Sequence, residues 1–173
     1  MRTLITICFF GAFITSWGQS GAKKKADQAT REWRYELQPL SEGAQGTYLI
    51  KVWSFSKKPD VAAEQAKKNA VHGVIFKGLT GVAGKGGGKV ESKPPLATDP
   101  NLEIAKADFF DAFFADGGKY MKFVTLTNSG LGAGDRMKVG KEYKVGVVVS
   151  VNIELLRKDL EAAGIIRALN SGF

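Results

Sequence analysis

Residues 47–79 read TYLIKVWSFSKKPDVAAEQAKKNAVHGVIFKGL, and their pattern changes once, at Pro59. Before it, Thr47 to Ser56 is dense in β-branched and aromatic side chains, the composition of a strand. Lys57-Lys58-Pro59-Asp60 closes that strand. Asp60 is the expected N-cap of a helix, its carboxylate offered to the free N–H groups of the first turn. Val61 to Leu79 reads as that helix. Ala62, Ala63, Ala66, Ala70, Gly73 and Val74 crowd small side chains onto one side, with Val71 and Ile75 beside them, while Lys67, Lys68 and Asn69 point elsewhere. Such a helix is built to lie close on a sheet.

Downstream, residues 80–98 (TGVAGKGGGKVESKPPLAT) are too rich in glycine and too poor in apolar side chains to pack, and an exposed loop is expected. Asp99 is placed as an N-cap with Pro100 at the first helical position. A helix is expected from about Asn101 to Ala115, with Phe110, Phe113 and Phe114 spaced i, i+3, i+4, and Gly117-Gly118 as its left-handed stop. Tyr120 to Thr127 reads as a strand and 128–140 as a second glycine-rich connection. Glu142 to Asn152 (EYKVGVVVSVN) alternates strictly, with Tyr143, Val145, Val147, Val149 and Val151 on one face. Ile153 to Gly164 reads as an amphipathic helix with Leu155, Leu156, Leu160 and Ala163 inward, capped by Gly164.

Upstream, Trp33, Tyr35 and Leu37 alternate with charged residues and predict a half-buried strand. Pro39 to Gly46 should turn the chain. Residues 19–31 (QSGAKKKADQATR) lack periodicity and read as a flexible tether. Before them, MRTLITICFFGAFITSWG has a basic Arg2, an apolar run from Leu4 to Ile14 and small residues at Ser16 and Gly18, the layout of a cleaved secretory signal over residues 1–18. The cut is expected before Gln19; one after Ser20 or Ala22 also fits. The run is too short for a membrane anchor, which needs roughly 18–20 apolar residues. Cys8, the only cysteine, lies inside the apolar run and not at its end, so it reads as a signal hydrophobe and not as a lipidation site.

Strand, strand, helix, helix, strand, strand, helix is the expected order over a single domain, residues 32–173. It predicts an α+β, two-layer sandwich: a mostly antiparallel sheet of about four strands with helices packed on one face.

Chemistry is sparse. His72 is the only histidine, and with Cys8 in the leader a conventional zinc site lacks the Cys and His cluster it needs. No serine sits in a nucleophile-elbow context that would make His72 a triad base. No metal, cofactor or catalytic residue is assigned. Ala83 to Val90 approximates a phosphate loop, but it lacks the first glycine and the magnesium-ligating hydroxyl, and it comes after a helix. Asp108 and Asp111 stand i, i+3 on the second helix and read as its wet face. The formal net charge is +8. That balance suits a solvated surface or attraction to anionic envelope material. Nucleic acid is not expected, because no recognition motif is present and export removes that partner. A looser anion site is drawn from Lys85, Lys89, Arg136 and Lys138 on the two glycine-rich loops, with Lys93 beside them. It would serve a small anionic-ligand binder or an enzyme, the alternative reading. Sheet-edge association with a neighbouring chain is the third.

Three stretches carry a resemblance: TYLIKVWSFS running into VAAEQAKKNAVHGVIFKG, then FFDAFFADGGKYMKFVTLT, then YKVGVVVSVNIELLRKDLEAAGI. Over residues 45–165 the chain resembles the strand-helix-strand-strand module of the N-terminal domain of flagellar assembly protein T and of related bacterial outer-membrane lipoproteins. It departs from them in having no lipobox, and in the additions at 80–98 and 101–115. The resemblance implies a non-enzymatic, periplasmic or extracellular module that binds or scaffolds an envelope protein or an anionic envelope component. It transfers no active-site residue.

Overall fold

The structure is a computed structural model that describes residues 21–32, 34–83, 89–127 and 134–168, with backbone alone at 82, 83 and 89. The expected leader 1–18 with Cys8, as well as Trp33 and Lys85, lies outside the described residues.

Glu36–Glu42 (β1) and Thr47–Ser56 (β2) form an antiparallel hairpin. β2 pairs along its whole length with Glu142–Asn152 (β7), from Thr47 opposite Asn152 to Ser56 opposite Tyr143. On the far side of β7, Val124–Leu126 (β5) pairs with its C-terminal half and Arg136–Val139 (β6) with its N-terminal half. The result is a five-stranded antiparallel sheet, an α+β fold with one strand more than expected. The extra strand, β6, lies inside the stretch read as a connection.

The alternation of β2 survives residue by residue. Tyr48, Ile50, Val52, Ser54 and Ser56 are buried, while Leu49, Lys51, Trp53 and Phe55 are half-buried on the other face. The long helix Pro59–Phe76 (α2) lies on the buried face, and its Ala66, Ala70, Val71, Val74 and Ile75 meet Ile50, Val52, Val149 and Val151. Small side chains allow that close approach. The final helix, Ile153–Ala162 (α5), adds Leu156 and Leu160 to the same core. Asn152 caps α5 by accepting the Leu155 N–H at 2.9 Å, and Gly164 lies just beyond it in the left-handed region. Leu155 is exposed, not inward. The opposite sheet face is covered by its own long side chains. Lys51 and Lys144 lie 4.9 and 5.2 Å from the Trp53 ring centre, and Lys144 also holds Glu36 at 2.7 Å.

Several expectations are corrected. The supposed tether forms a helix, Gly21–Arg31 (α1), with Ala26, Ala29 and Thr30 buried against α2. Its apolar face is only an alanine stripe, Ala22, Ala26 and Ala29 at i, i+4, i+7, a weak signal among so many charges. β1 begins later than expected and runs through the buried Pro39. A register shift lies between Pro39 and Ser41, a place where an edge strand tolerates a missing N–H. Pro59 occupies the first turn of α2, so the N-cap is Lys58 and Asp60 lies inside the helix. The 80–98 stretch is not unpacked. Val82–Ala83 (β3) pairs with Lys89–Val90 (β4), Leu79 bridges Lys93, and Leu96 and Ala97 are buried. The amides of Leu96 and Ala97 donate to Val74 O and Ile75 O, satisfying carbonyls that the end of α2 would otherwise leave orphaned. The expected 101–115 helix is two short ones, Leu102–Ala105 (α3) and Ala107–Phe113 (α4), broken at Lys106. Asp99 does accept the Asn101 N–H, at 2.9 Å. The Tyr120 strand begins as a 3₁₀ turn, Lys119–Phe123, and becomes extended only at Val124.

Candidate functional site

α2 carries a polar stripe within its buried face. Gln65, Asn69 and His72 stand i, i+4, i+7 on its surface, and all three are buried. Each is engaged from another element. Gln65 Nε2 donates to Asp27 of α1 at 3.0 Å, and the same carboxylate oxygen takes Lys68 at 2.7 Å. The Thr30 hydroxyl meets Asn69 Oδ1, and Asn69 Nδ2 donates to Ser54 of β2 at 2.7 Å. α1 therefore docks on α2 through small side chains and a polar seam. Asn69, expected to point away, is 3% exposed.

His72 is 1% exposed. The Tyr35 hydroxyl lies 2.7 Å from Nδ1, and Glu103 Oε1 lies 3.1 Å from Nε2. Burial pushes the Tyr35 phenol far above its ordinary range, with the Glu103 charge adding to the effect, so the hydroxyl keeps its proton. It then donates to Nδ1, which fixes the imidazole tautomer with N–H at Nε2, and that N–H donates to Glu103. Phe76, Phe114 and Tyr35 pack round the ring, with centroids 4.7, 5.6 and 5.8 Å away.

His72 and Glu103 form the floor of a cleft of about 860 Å³ between α1, α2 and the α3–α4 pair, with Tyr35 buried against the His72 ring. Phe110, Phe114, Ala107 and Ile104 supply an apolar wall, and Ile104 is 80% exposed at the lip. The rim is charged in both signs. Arg31 pairs with Asp111, and Lys23 pairs with Asp116 at 2.5 Å, joining α1 to the α4 side of the opening. The volume lies within the roughly 300–1,000 Å³ typical of small-ligand sites.

The residues singled out by sequence fall elsewhere. Arg136 and Lys138 are exposed on β6, with the Arg136 guanidinium 5.1 Å from the Tyr143 ring centre. Lys89 lies on β4, whose hairpin packs against β1, the strand at the opposite edge of the sheet from β6. β2 and β7 intervene, so this topology does not bring Lys89 together with Arg136 and Lys138. Lys93 lies over the Tyr48 ring at 5.6 Å. Asp111 serves the rim ion pair, and Asp108 is exposed. Sequence reasoning missed the cleft because it treated His72 alone. Its partners are 37 and 31 residues away in the chain. The available signal was the polar i, i+4, i+7 stripe on an alanine-rich helix.

Alkaline pH should expose the cost of these buried phenols. Burial raises Tyr35, Tyr48 and Tyr120, and the Asp116 hydrogen bond raises Lys23. The folded state thus holds these protons more tightly than the unfolded chain does. Their stabilisation is complete below about pH 10, the ordinary phenol value, and falls as pH climbs through the raised values. Lys77, lowered by burial, opposes this weakly. Urea unfolding between about pH 9 and 11 should show a decline approaching about 1.4 kcal/mol per pH unit for each phenol engaged. Tyr35→Phe should flatten it.

Among the described residues no cluster of three His, Cys, Asp or Glu side chains could hold a metal ion. No helix among them is long and apolar enough to cross a membrane. No protein-family model matches the chain, and comparison with curated proteins and with solved structures finds no match.

Proposed function

We propose that the chain is an exported, non-enzymatic binding or assembly module of the bacterial cell envelope, and that the cleft under α1 is where it takes its ligand. The observation that carries this reading is the pairing of an open, phenylalanine-walled cleft with a floor whose polar groups already satisfy one another. Both ring nitrogens of His72 are committed, and the Thr30 hydroxyl is turned to Asn69. Such a floor holds its shape, while the wall offers apolar surface. The fitting ligand has an apolar body against Phe110 and Phe114 and polar ends that meet the charged rim. The leader layout of residues 1–18 and the envelope-module resemblance of residues 45–165 support the location.

Filling the cleft tests the reading. Ala107 is exposed on the cleft wall, so Ala107→Trp occupies the space without disturbing the core. Binding of an apolar anionic dye, and of amphipathic components from an envelope extract, should weaken by about tenfold or more in this variant, with folding stability unchanged. Equal binding by both proteins would remove the cleft as the seat. The same preparation tests location. The full chain expressed in a bacterium should be recovered from the periplasm or medium, with an intact mass starting near Gln19; full-length chain confined to the cytoplasm would overturn export.

A further inference from the structure

β6 closes on β7 through a two-residue turn, with Val139 opposite Glu142 and Gly140 in the left-handed region. In an antiparallel ladder, opposed pairs alternate between bonded and non-bonded. A two-residue turn makes Val139–Glu142 a bonded pair, so Met137–Lys144 is the next. The Gly146 N–H donates to Asp135 O at 2.7 Å, which continues the same phase. The backbone N–H and C=O of Arg136 and of Lys138 therefore point away from β7, toward the outer edge of the sheet. Neither residue's backbone has another partner among the described residues. The sheet's other edge is occupied, because the β3–β4 hairpin packs against β1 and Pro39 interrupts its ladder.

We propose that β6 is a docking edge for an extended, acidic segment of another protein, added as a further strand. The outward donors and acceptors give the main-chain bonds of strand addition. Charge selects the occupant. Arg136 and Lys138 flank those groups, and a second copy of β6 paired on this edge would set cation against cation, which is destabilising in directly opposed positions. The chain's net positive charge adds to the repulsion. An incoming strand with glutamate or aspartate at alternate positions meets both cations. Its intervening apolar residues meet Met137 and Val139, 41% and 51% exposed on the other face. This edge is separate from the cleft, and either assignment can fail alone.

The test uses labelled peptides that alternate glutamate with valine, or lysine with valine, read by fluorescence anisotropy against the full chain. The glutamate peptide should bind and the lysine peptide should not. Lys138→Pro removes an outward N–H and leaves the bonds to β7 intact, a substitution edge strands accept. It should weaken the glutamate peptide by about tenfold, with the circular dichroism spectrum unchanged. The double variant Arg136→Glu, Lys138→Glu keeps the edge open and should transfer preference to the lysine peptide; it decides the matter if the proline variant fails to fold. Absence of binding by either peptide, or binding unaltered in both variants, would overturn the proposal. A dimer that Lys138→Pro converts to monomer would make a second copy the occupant and overturn the acidic assignment.

Discussion

His72→Ala should lower stability by about 4–8 kcal/mol, a large share of the roughly 5–15 kcal/mol a domain possesses. The ring is buried among Tyr35, Phe76 and Phe114, and its removal leaves an aromatic-sized void. Large-to-small changes of that kind cost about 3–5 kcal/mol. The substitution also strands the Tyr35 hydroxyl, itself buried, without its acceptor. An orphaned buried donor adds about 1–3 kcal/mol. Urea or thermal unfolding measures the total, and a double-variant cycle isolates the second contribution. Tyr35→Phe should destabilise the wild-type chain yet cost nothing in the His72→Ala background. If Tyr35→Phe costs the same in both, the hydroxyl does not depend on His72.

Gly78→Ala should cost about 2–5 kcal/mol, the second largest effect. Gly78 lies just past α2 at φ 73°, and its N–H donates to Gly73 O at 2.8 Å. A side chain there meets two penalties. The left-handed backbone costs about 1–2 kcal/mol for an L-residue. A Cβ would also sit 2.4 Å from Lys93 O and 2.8 Å from Pro95 N, backbone atoms that cannot swing aside. Gly117 is the control. Its φ is 72°, but nothing lies within 4 Å of the position of a Cβ, so Gly117→Ala should show the conformational cost alone. Urea midpoints of the two variants separate the penalties. Equal losses would mean that the 93–95 segment yields and that the close approach carries no energy.

The two long strands are legible because alternation is a two-residue pattern and needs no tertiary knowledge. Tyr48, Ile50 and Val52 announce one face, and Val145, Val149 and Val151 announce its neighbour. The α+β class and the helix cover come from them. The failures have several causes, one being burial created by side chains that carry little apolar signal. Ala26, Ala29 and Thr30 bury a helix without looking hydrophobic. Tyr120 and Phe123 read as strand residues, yet their three-residue spacing is the repeat of the tight turn they occupy. β6 is too short and too charged to stand out from its glycine-rich surroundings. The cleft is illegible for a stronger reason. Its floor is assembled from His72 and Glu103, with Tyr35 buried against the ring, and only the tertiary fold brings the three together. Lys89, Arg136 and Lys138 look alike on paper and are parted by the strand order.

The pairing of β2 with β7 has a kinetic consequence. Thr47 meets Asn152 and Ser56 meets Tyr143, so the central ladder joins an early segment of the domain to a late one. The loop-closure entropy of that pairing must be met before any of its burial is gained, which slows folding. β2 cannot close its core against a neighbour on that side until residues 142–152 are available. A chain emerging from its N-terminus therefore lacks its central strand until the end, and remains threadable for as long. For a chain exported in an unfolded state, the order of its strands would itself delay folding on the wrong side.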